Sequence, residues 1–386
     1  MPVNIDDPNK ILPDHVTWID TPSELDRLLD ILHNEPVIAV DTEGDSLYSY
    51  FEKVCLIQFS TPREDFLVDP LRVNICSLQP VFADQSIQKV FHAVEYDILS
   101  LKRDYDFTFA NLFDTMLAAR ILGWPRFGLG HLLAEHFDVK LNKQFQRYNW
   151  GKRPLSRRSL IYAHLDTHYL LPLRKLQIEA LQAQNRLREA YEAFERKTSM
   201  EPTIKAFDPD DFWRIKGARE LTPSQQAILR QLYIFRDKLA RRLDRPPFKV
   251  LNDATLVRLT KIAPHTTADL KSIKGVGKKL VRYNGAEILK VIRNGADMPP
   301  PDYSPPNNHH PPDDHTLARY ESLRHWRNEL AAIRGVEPDV IISNNNLMNI
   351  ARHNPRSLSA LTRLEVLGSW QFETYGKTLL QVLRHA

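Results

Sequence analysis

Between residues 36 and 69 short apolar runs alternate with turn-formers, the pattern of strands. Val37-Ile38-Ala39-Val40 is one run, Val54 to Phe59 a second and Phe66-Leu67-Val68 a third, with Gly44 and Pro62 between them. Lys89 to His92 predicts a fourth strand. From about residue 95 the spacing becomes helical, with Ile98, Leu99 and Leu101, and later Leu112, Met116, Leu117 and Ile121, on apolar faces. Strands followed by alternating helices predict an α/β domain over residues 1–205. Beyond Pro209 the pattern is helical throughout. Thr222-Pro223-Ser224 supplies an N-cap and a proline at the first helical position.

The helical part repeats. At an offset of 91 residues Arg236 aligns with Arg327, Ala240 with Ala331, Leu256 with Leu347, Pro264 with Pro355, Leu270 with Leu361 and Gly285 with Gly376, and no gap is needed. Six identities at one offset, with apolar pairs such as Val250 and Ile341 beside them, predict a duplicated helical domain. The copies fall at 210–295 and 314–386. Residues 296–313 separate them, and PPPDYSPPNNHHPP within that stretch predicts a stiff spacer.

A chain of 386 residues exceeds one hydrophobic core, which agrees with several domains. At 42% hydrophobic and 26% charged, the composition excludes collagen-like, coiled-coil and wholly disordered chains. The longest apolar runs fall far short of the roughly 20 residues of a membrane helix, so no membrane is expected. MPVNIDDPNK has neither a basic leader nor an apolar run, so no secretory signal is expected. Cys55 and Cys76 are the two cysteines, and by themselves they cannot build a disulfide framework or a four-ligand zinc site, so a reducing, cytoplasmic setting is the expectation.

The net charge of +4 is unevenly spread. Residues 214–293 carry 19 lysines and arginines against 6 acids, a balance of +13, whereas residues 314–386 carry 9 against 7. Residues 1–213 are left at −8 once the three acids of 294–313 are counted. An acidic body with a basic segment suggests carboxylate chemistry in one part and a polyanion held by another.

Candidate chemistry sits in three places. Asp41 and Glu43 close the first apolar strand two residues apart, so both can project to one face, although a solvated turn also explains Asp-x-Glu. Asp97 follows the fourth strand in the first turn of a helix, where the helix dipole alone would favour it. Tyr162 and Asp166 are four apart and share a helix face, where a phenol and a carboxylate can bond each other or complete a metal site. His164, Asp166 and His168 alternate, but positions i, i+2 and i+4 of a helix do not share one face, so zinc is not expected there. Asp114, among apolar residues, could equally be a cap and is expected to give structural support, not to ligate a metal.

Taken in order, Asp41-Thr42-Glu43, Asp97 and Tyr162-x-x-x-Asp166 resemble the tyrosine-bearing branch of the DEDD exonuclease superfamily. Val54-Cys-Leu-Ile-Gln58, Phe113-Asp114-Thr115 and Trp150 to Leu155 sharpen the likeness to the ribonuclease D family, and the duplicated unit is similar to tandem HRDC domains. Gly44 and Tyr148-Asn149 depart from the usual pattern of these relatives. The resemblance implies an α/β, ribonuclease H-like exonuclease domain with a mixed sheet, followed by two all-α HRDC-type domains. It implies 3′ to 5′ hydrolysis of RNA to nucleoside 5′-monophosphates with two divalent ions, Mg²⁺ or Mn²⁺, and trimming of transfer-RNA precursors with 3′ extensions. Asp41 would bridge the ions, Glu43 and Asp166 would hold the nucleophile-side ion, and Asp97 would act on the leaving-group side, directly or through water. Tyr162 would orient the attacking water. A DNA exonuclease of the same superfamily and a non-catalytic nucleic-acid-binding protein are the rival expectations.

In the basic repeat Lys271, Lys274, Lys278, Lys279 and Arg282 surround Gly275-Val276-Gly277. A turn of that kind presents backbone N–H groups to a phosphate, though a solvated charged face has the same look. The second repeat is expected to pack or position.

Overall fold

The computed structural model describes residues 15–141, 143–203, 206–302 and 312–386. The amino-terminal segment and most of the proline-rich spacer, residues 303–311, lie outside the described residues. The chain gathers into two units. One comprises, among the described residues, 15–44, 54–202 and 312–386; the other comprises 45–53 and residues from 203 to 302.

In the first unit a six-stranded sheet is built from β1 (Val16–Ile19), β2 (Val37–Gly44), β3 (Val54–Ser60), β4 (Asp65–Val68), β5 (Gln88–Phe91) and β6 (Leu112–Asp114). Its spatial order is β1-β4-β3-β2-β5-β6. The sheet is mixed: β2–β3 and β3–β4 are antiparallel, whereas β1–β4, β2–β5 and β5–β6 are parallel. Around it lie α1 (Pro22–His33), α2 (Gln79–Ala83), α3 (Glu95–Tyr105), α4 (Thr115–Leu122), α5 (Leu129–Phe137), α6 (Arg157–His168), α7 (Leu170–Ala183) and α8 (Leu187–Thr198). Strands β3, β4 and β5 are buried along their whole lengths, as expected where both faces of a sheet are covered, and they carry buried polar side chains such as Gln58, Asp65 and Lys89 among the apolar ones.

Three features depart from the periodicity. Leu112 belongs to β6 and not to a helix: Leu112-Phe113-Asp114 pairs in parallel with β5, and α4 starts only after Asp114, which accepts from the amides of Met116 and Leu117. The cap ends the strand and starts the helix in one residue, and spacing alone does not show that boundary. Asp114 is thus a helix cap, one of the readings left open for it. Strand β1 escapes notice because Val16–Ile19 is four residues long, with its apolar ends separated by Thr17 and Trp18. Helix α1 is announced by Thr21, Pro22 and Glu24, a capping box with proline at its start.

The register of β2 leaves one end of the strand unpaired on its β5 side. Its pairing with β5 covers only Val37, Ile38 and Ala39, while its pairing with β3 continues through Asp41, Thr42 and Glu43 and shifts register at Gly44. The carboxyl end of β2 therefore extends past β5, and the chain leaving β5 turns into α3 beside it. Crevices outside the carboxyl ends of parallel strands are where α/β sheets bind ligands.

The two repeats have the same internal plan. In the second unit α9 (Pro223–Leu243), α10 (Pro247–Val250), α11 (Asp253–Ile262), α12 (Thr267–Ser272) and α13 (Lys278–Ala296) enclose Leu232, Leu256, Leu259 and Ile288. In the first unit α14 (Asp314–Arg334), α15 (Pro338–Ile341), α16 (Asn344–His353), α17 (Leu358–Thr362) and α18 (Ser369–Arg384) enclose Leu323, Leu347, Ile350 and Leu379. Every helix of one copy starts 91 residues before its counterpart. Arg236 donates to the Leu251 carbonyl and to Asp253, and Arg327 donates to the Ile342 carbonyl and to Asn344. Among the described residues no helix is long and apolar enough to cross a membrane.

Within the first unit α14–α18 dock on the sheet domain through charge. Arg334 reaches Glu189 on α8 at 2.5 Å and the Tyr375 hydroxyl at 2.5 Å. Arg120 on α4 holds Glu337 at 2.8 Å and Asp339 at 2.6 Å. Glu192 on α8 accepts from the amides of Trp370 and Gln371 and so caps α18 from outside it. A Cβ on Gly368 would lie 2.1 Å from the Glu192 carboxylate, so this close approach needs glycine.

Candidate active site

At the carboxyl end of β2 the side chains of Asp41 and Glu43 emerge on the same side, as the two-residue period of a strand demands. Helix α6 brings Asp166 to them, and carboxylate oxygens of Asp41, Glu43 and Asp166 all lie within 4.8 Å of one another. Asp97 comes from the first turn of α3 and accepts a 2.6 Å hydrogen bond from Thr42 Oγ1, the residue between Asp41 and Glu43. Asp97 and Asp166 are buried, only 4% and 6% exposed, while Asp41 and Glu43 are half-buried at the floor of a cleft of about 630 Å³. The cleft is also lined by His92, His131, Lys140 and Gln146, which the sequence pattern does not single out as functional. No short-range motif marks them; they converge only because α5 and the segment after it fold over the sheet end.

Four carboxylates in so small a volume oppose their own ionisation. Burial, then the neighbouring Asp97, Asp166 and Glu43, push Asp41 well above the usual carboxylate range. Burial followed by Asp166 and Asp97 does the same for Glu43. Burial lifts Asp97 to about 7 even though the Thr42 hydroxyl pulls the other way. Burial lifts Asp166 to about 8 against the pull of a hydrogen bond from Tyr162. Such a cluster is stable in its ionised form only when positive charge enters it. The donors are all carboxylate oxygens, the ligands that hard divalent cations take. The residues fit a metal centre.

Tyr162 stands one turn before Asp166 on α6. Its hydroxyl bonds the Asp166 carboxylate, and burial together with the nearby acids raises the phenol above its ordinary value, so it keeps its proton. The ring is fixed by Phe145 at 5.5 Å and Trp150 at 6.2 Å. Trp150 is in turn anchored by Arg153, which donates to the Trp150 carbonyl at 2.7 Å, to Asp69 at 2.6 and 2.7 Å and to the Cys55 carbonyl at 2.7 Å. The segment Trp150 to Leu155 thus stiffens the floor under the tyrosine. His92 Nδ1 lies 2.9 Å from Thr115 Oγ1, and burial lowers this imidazole to about 4, so it is neutral at the cleft wall.

Of the basic candidates, Lys271 lies on α12, Lys274 in the turn after it, and Lys278, Lys279 and Arg282 on α13; all five are exposed. Gly275 has φ +101, and a Cβ there would lie 2.1 Å from Thr255 Oγ1, so the turn requires glycine. Gly277 is the N-cap of α13, which no side chain caps.

A mixed sheet with an acidic cleft, followed by helical repeats, defines a class: a nuclease domain with appended HRDC modules. Comparison with known proteins agrees. Residues 16–179 match the model of the 3'-5' exonuclease family, and residues 225–292 and 316–383 each match that of the HRDC domain. The chain is similar to the exosome complex exonuclease RRP6 of Saccharomyces cerevisiae, with 34% identity over 304 residues, 74% of this chain and 42% of the relative. It is similar to ribonuclease D of Pseudomonas paraeruginosa, with 28% identity over 381 residues, 96% of this chain and 98% of the relative. The crystal structure of the catalytic core of RRP6 from Trypanosoma brucei superposes with a TM-score of 0.68 at 30% identity, covering 73% of this chain and 80% of that one. The chain belongs to the ribonuclease D family of DEDD 3′–5′ exonucleases, tyrosine branch, with tandem HRDC domains. It spans less than half the length of the yeast relative.

Proposed function

We propose that this chain is a 3′–5′ exoribonuclease that hydrolyses RNA 3′ ends to nucleoside 5′-monophosphates. The observation that carries the reading is the convergence of Asp41, Glu43 and Asp166 within 4.8 Å, with Asp97 tied in through Thr42, at the floor of an open cleft. Asp41, Glu43, Asp97 and Asp166 would hold two divalent ions, Mg²⁺ or Mn²⁺, which when bound neutralise charge on the phosphate and lower the pKa of water. The protein's own residues do the rest. Tyr162, protonated and held by Asp166 and by the Phe145 and Trp150 rings, keeps its hydroxyl at a fixed place, where it orients the attacking water. Asp41, beside Glu43 on β2 and close to Asp166 on α6, would be the ligand that the two ions share. Asp97, buried behind Thr42, would serve the leaving-group side, directly or through water. Lys140 and neutral His92 on the cleft walls are placed to contact the scissile strand without competing for the ions.

The division of the chain is part of the proposal: exonuclease domain 1–205, first HRDC domain 210–295, spacer 296–313 and second HRDC domain 314–386. We assign RNA contacts to the first HRDC domain, where Lys271, Lys274, Lys278, Lys279 and Arg282 are exposed around the Gly275–Gly277 turn. Tyr283 beside them is 67% exposed, a ring placed for base stacking. We assign transfer-RNA precursors with 3′ extensions as the substrate class, on the resemblance of the sequence motifs to ribonuclease D. Two free cysteines, one of them exposed, suit a reducing compartment such as the cytoplasm.

The test is incubation of the purified chain with a 3′-tailed transfer RNA and with matched RNA and DNA oligonucleotides, with and without chelator. Stepwise release of 5′-monophosphates from RNA, abolished by chelator, is expected. Preference for DNA would make it a DNA exonuclease. Binding without turnover in magnesium would make it a nucleic-acid-binding module.

A further inference from the structure

The same helix that carries Tyr162 and Asp166 presents a second group of ligating side chains on its opposite face. His164 and His168 are four residues apart and point away from Asp166, towards β4. Their Nδ1 atoms lie 3.2 and 2.7 Å from one oxygen, Asp65 Oδ2. His15, next to β1, brings its Nε2 to 3.6 Å from that same oxygen. All four ligand atoms lie within 4.8 Å of one another. The three rings radiate around a common point, with centroids 5.3 to 5.8 Å apart.

We infer that His15, Asp65, His164 and His168 form a binding site for a zinc-class divalent transition metal, separate from the carboxylate cluster. Four ligands arranged tetrahedrally at about 2.0–2.1 Å from an ion stand roughly 3.3 Å from each other. The observed separations of 2.7, 3.2 and 3.6 Å from Asp65 straddle that edge length. A hydrogen-bond network accounts for less: 3.6 Å is beyond hydrogen-bonding range, and three imidazoles crowd one carboxylate oxygen. His164 is fully buried and its Nε2 has no partner among the described residues, so Asp65 is what its polar edge is organised around. A fixed negative charge ringed by imidazoles suits a dication. Three nitrogens and one oxygen, with no thiolate, favour Zn²⁺, Co²⁺ or Ni²⁺ over the Mg²⁺ that an all-oxygen cluster takes.

Helix spacing keeps Asp166 out of a zinc site but not the pair around it. Positions 164 and 168 share a face, and the third and fourth ligands come from 15 and 65, separations that helix spacing cannot reveal. Such an ion would clamp the entry to β1, the start of β4 and helix α6. It would steady the helix whose other face holds Tyr162 and Asp166.

The experiment uses untagged full-length protein, stripped with chelator and dialysed into excess Mg²⁺, then titrated with Zn²⁺ by calorimetry and with Co²⁺ by visible absorption. One tight zinc equivalent per chain and an intense tetrahedral cobalt band are expected, both retained in Asp41→Asn. His168→Ala should weaken zinc binding at least about tenfold and erase the band. His15→Ala, at a partly exposed position that leaves the core intact, should do the same with unchanged circular dichroism. A tight equivalent that survives both histidine variants but is lost in Asp41→Asn would assign the ion to the carboxylates and overturn the inference. Absence of any tight equivalent in the wild-type chain would overturn it too.

Discussion

Replacing Asp166 by Asn should stabilise the metal-free fold while destroying catalysis. Buried Asp166 keeps its proton up to about 8, whereas its ordinary value, which applies to the unfolded chain, is 3.8. Between these values the folded state binds the extra proton, so stability falls as pH rises from about 4 and the loss is complete above about 8. At about 1.4 kcal/mol per pH unit the displacement sets a ceiling of roughly 5 kcal/mol on the cost at pH 8. Asp41 and Glu43 also feel the Asp166 charge, and a site that shares protons redistributes them, so relief of about 2 kcal/mol is expected from the single change. Asparagine keeps the shape and still accepts the Tyr162 hydrogen bond. The assay is urea unfolding of the full chain in chelator at pH 5, 6.5 and 8, with amide exchange in β2 reporting on the sheet core. The variant should match wild type near pH 5 and exceed it increasingly towards pH 8. Magnesium should reverse the order, because an ion that binds only the folded wild type stabilises it by mass action. Turnover of a 3′-tailed RNA should fall by several orders of magnitude. A variant whose stability difference from wild type does not change with pH would refute the claim that repulsion in this cluster is relieved by a cation.

Tyr162→Phe should lower kcat by about 10²–10⁴ with smaller changes in KM and in magnesium affinity, measured by steady-state kinetics across magnesium concentrations. Neutralising Lys274, Lys278 and Lys279 together should flatten the slope of log K against log salt for RNA by about one per lost contact, while Arg352, Arg356 and Arg363 changed together should alter it less. Equal slopes for both triple variants and wild type would remove the first HRDC domain from RNA binding. Arg334→Ala should cost about 3 kcal/mol in urea unfolding, because it strands the Glu189 carboxylate at 6% side-chain exposure, and the double variant Arg334→Ala, Glu189→Gln should recover most of that.

Much of the site could be read from the chain because its parts are local. Asp41 and Glu43 share a strand, Tyr162 and Asp166 share a helix turn, and each pair obeys the period of its element. Asp97 needed one further step, from a strand end into the first turn of a helix. What escaped depends on residues far apart in sequence. Arg153 reaches Asp69 across 84 positions, and nothing in the stretch Trp150 to Leu155 names its partner. His92, just after β5, and Lys140 and Gln146, in the segment after α5, meet in the cleft through the fold and not through spacing. Strand β6 was lost because three buried residues running into a helix look like the helix. The repeats were the most legible part, since a duplication is visible as identity at one offset whatever the structure.

Gly277 and Gly368 are 91 residues apart and play the same part, each the N-cap of the last helix of its repeat. The first leaves its helix end to the solvent among lysines. The second receives the Glu192 carboxylate, which lies on the amides of Trp370 and Gln371 where an anion from solution would otherwise sit. Duplication gives two helix ends of one kind, and at the second the protein's own Glu192 occupies the amides and helps seat the repeat. That seat cannot also take a phosphate at the same amides. The division of labour proposed for the repeats thus has a second difference beside unequal charge: no side chain caps the Gly277 helix end, whereas the Gly368 end is a joint.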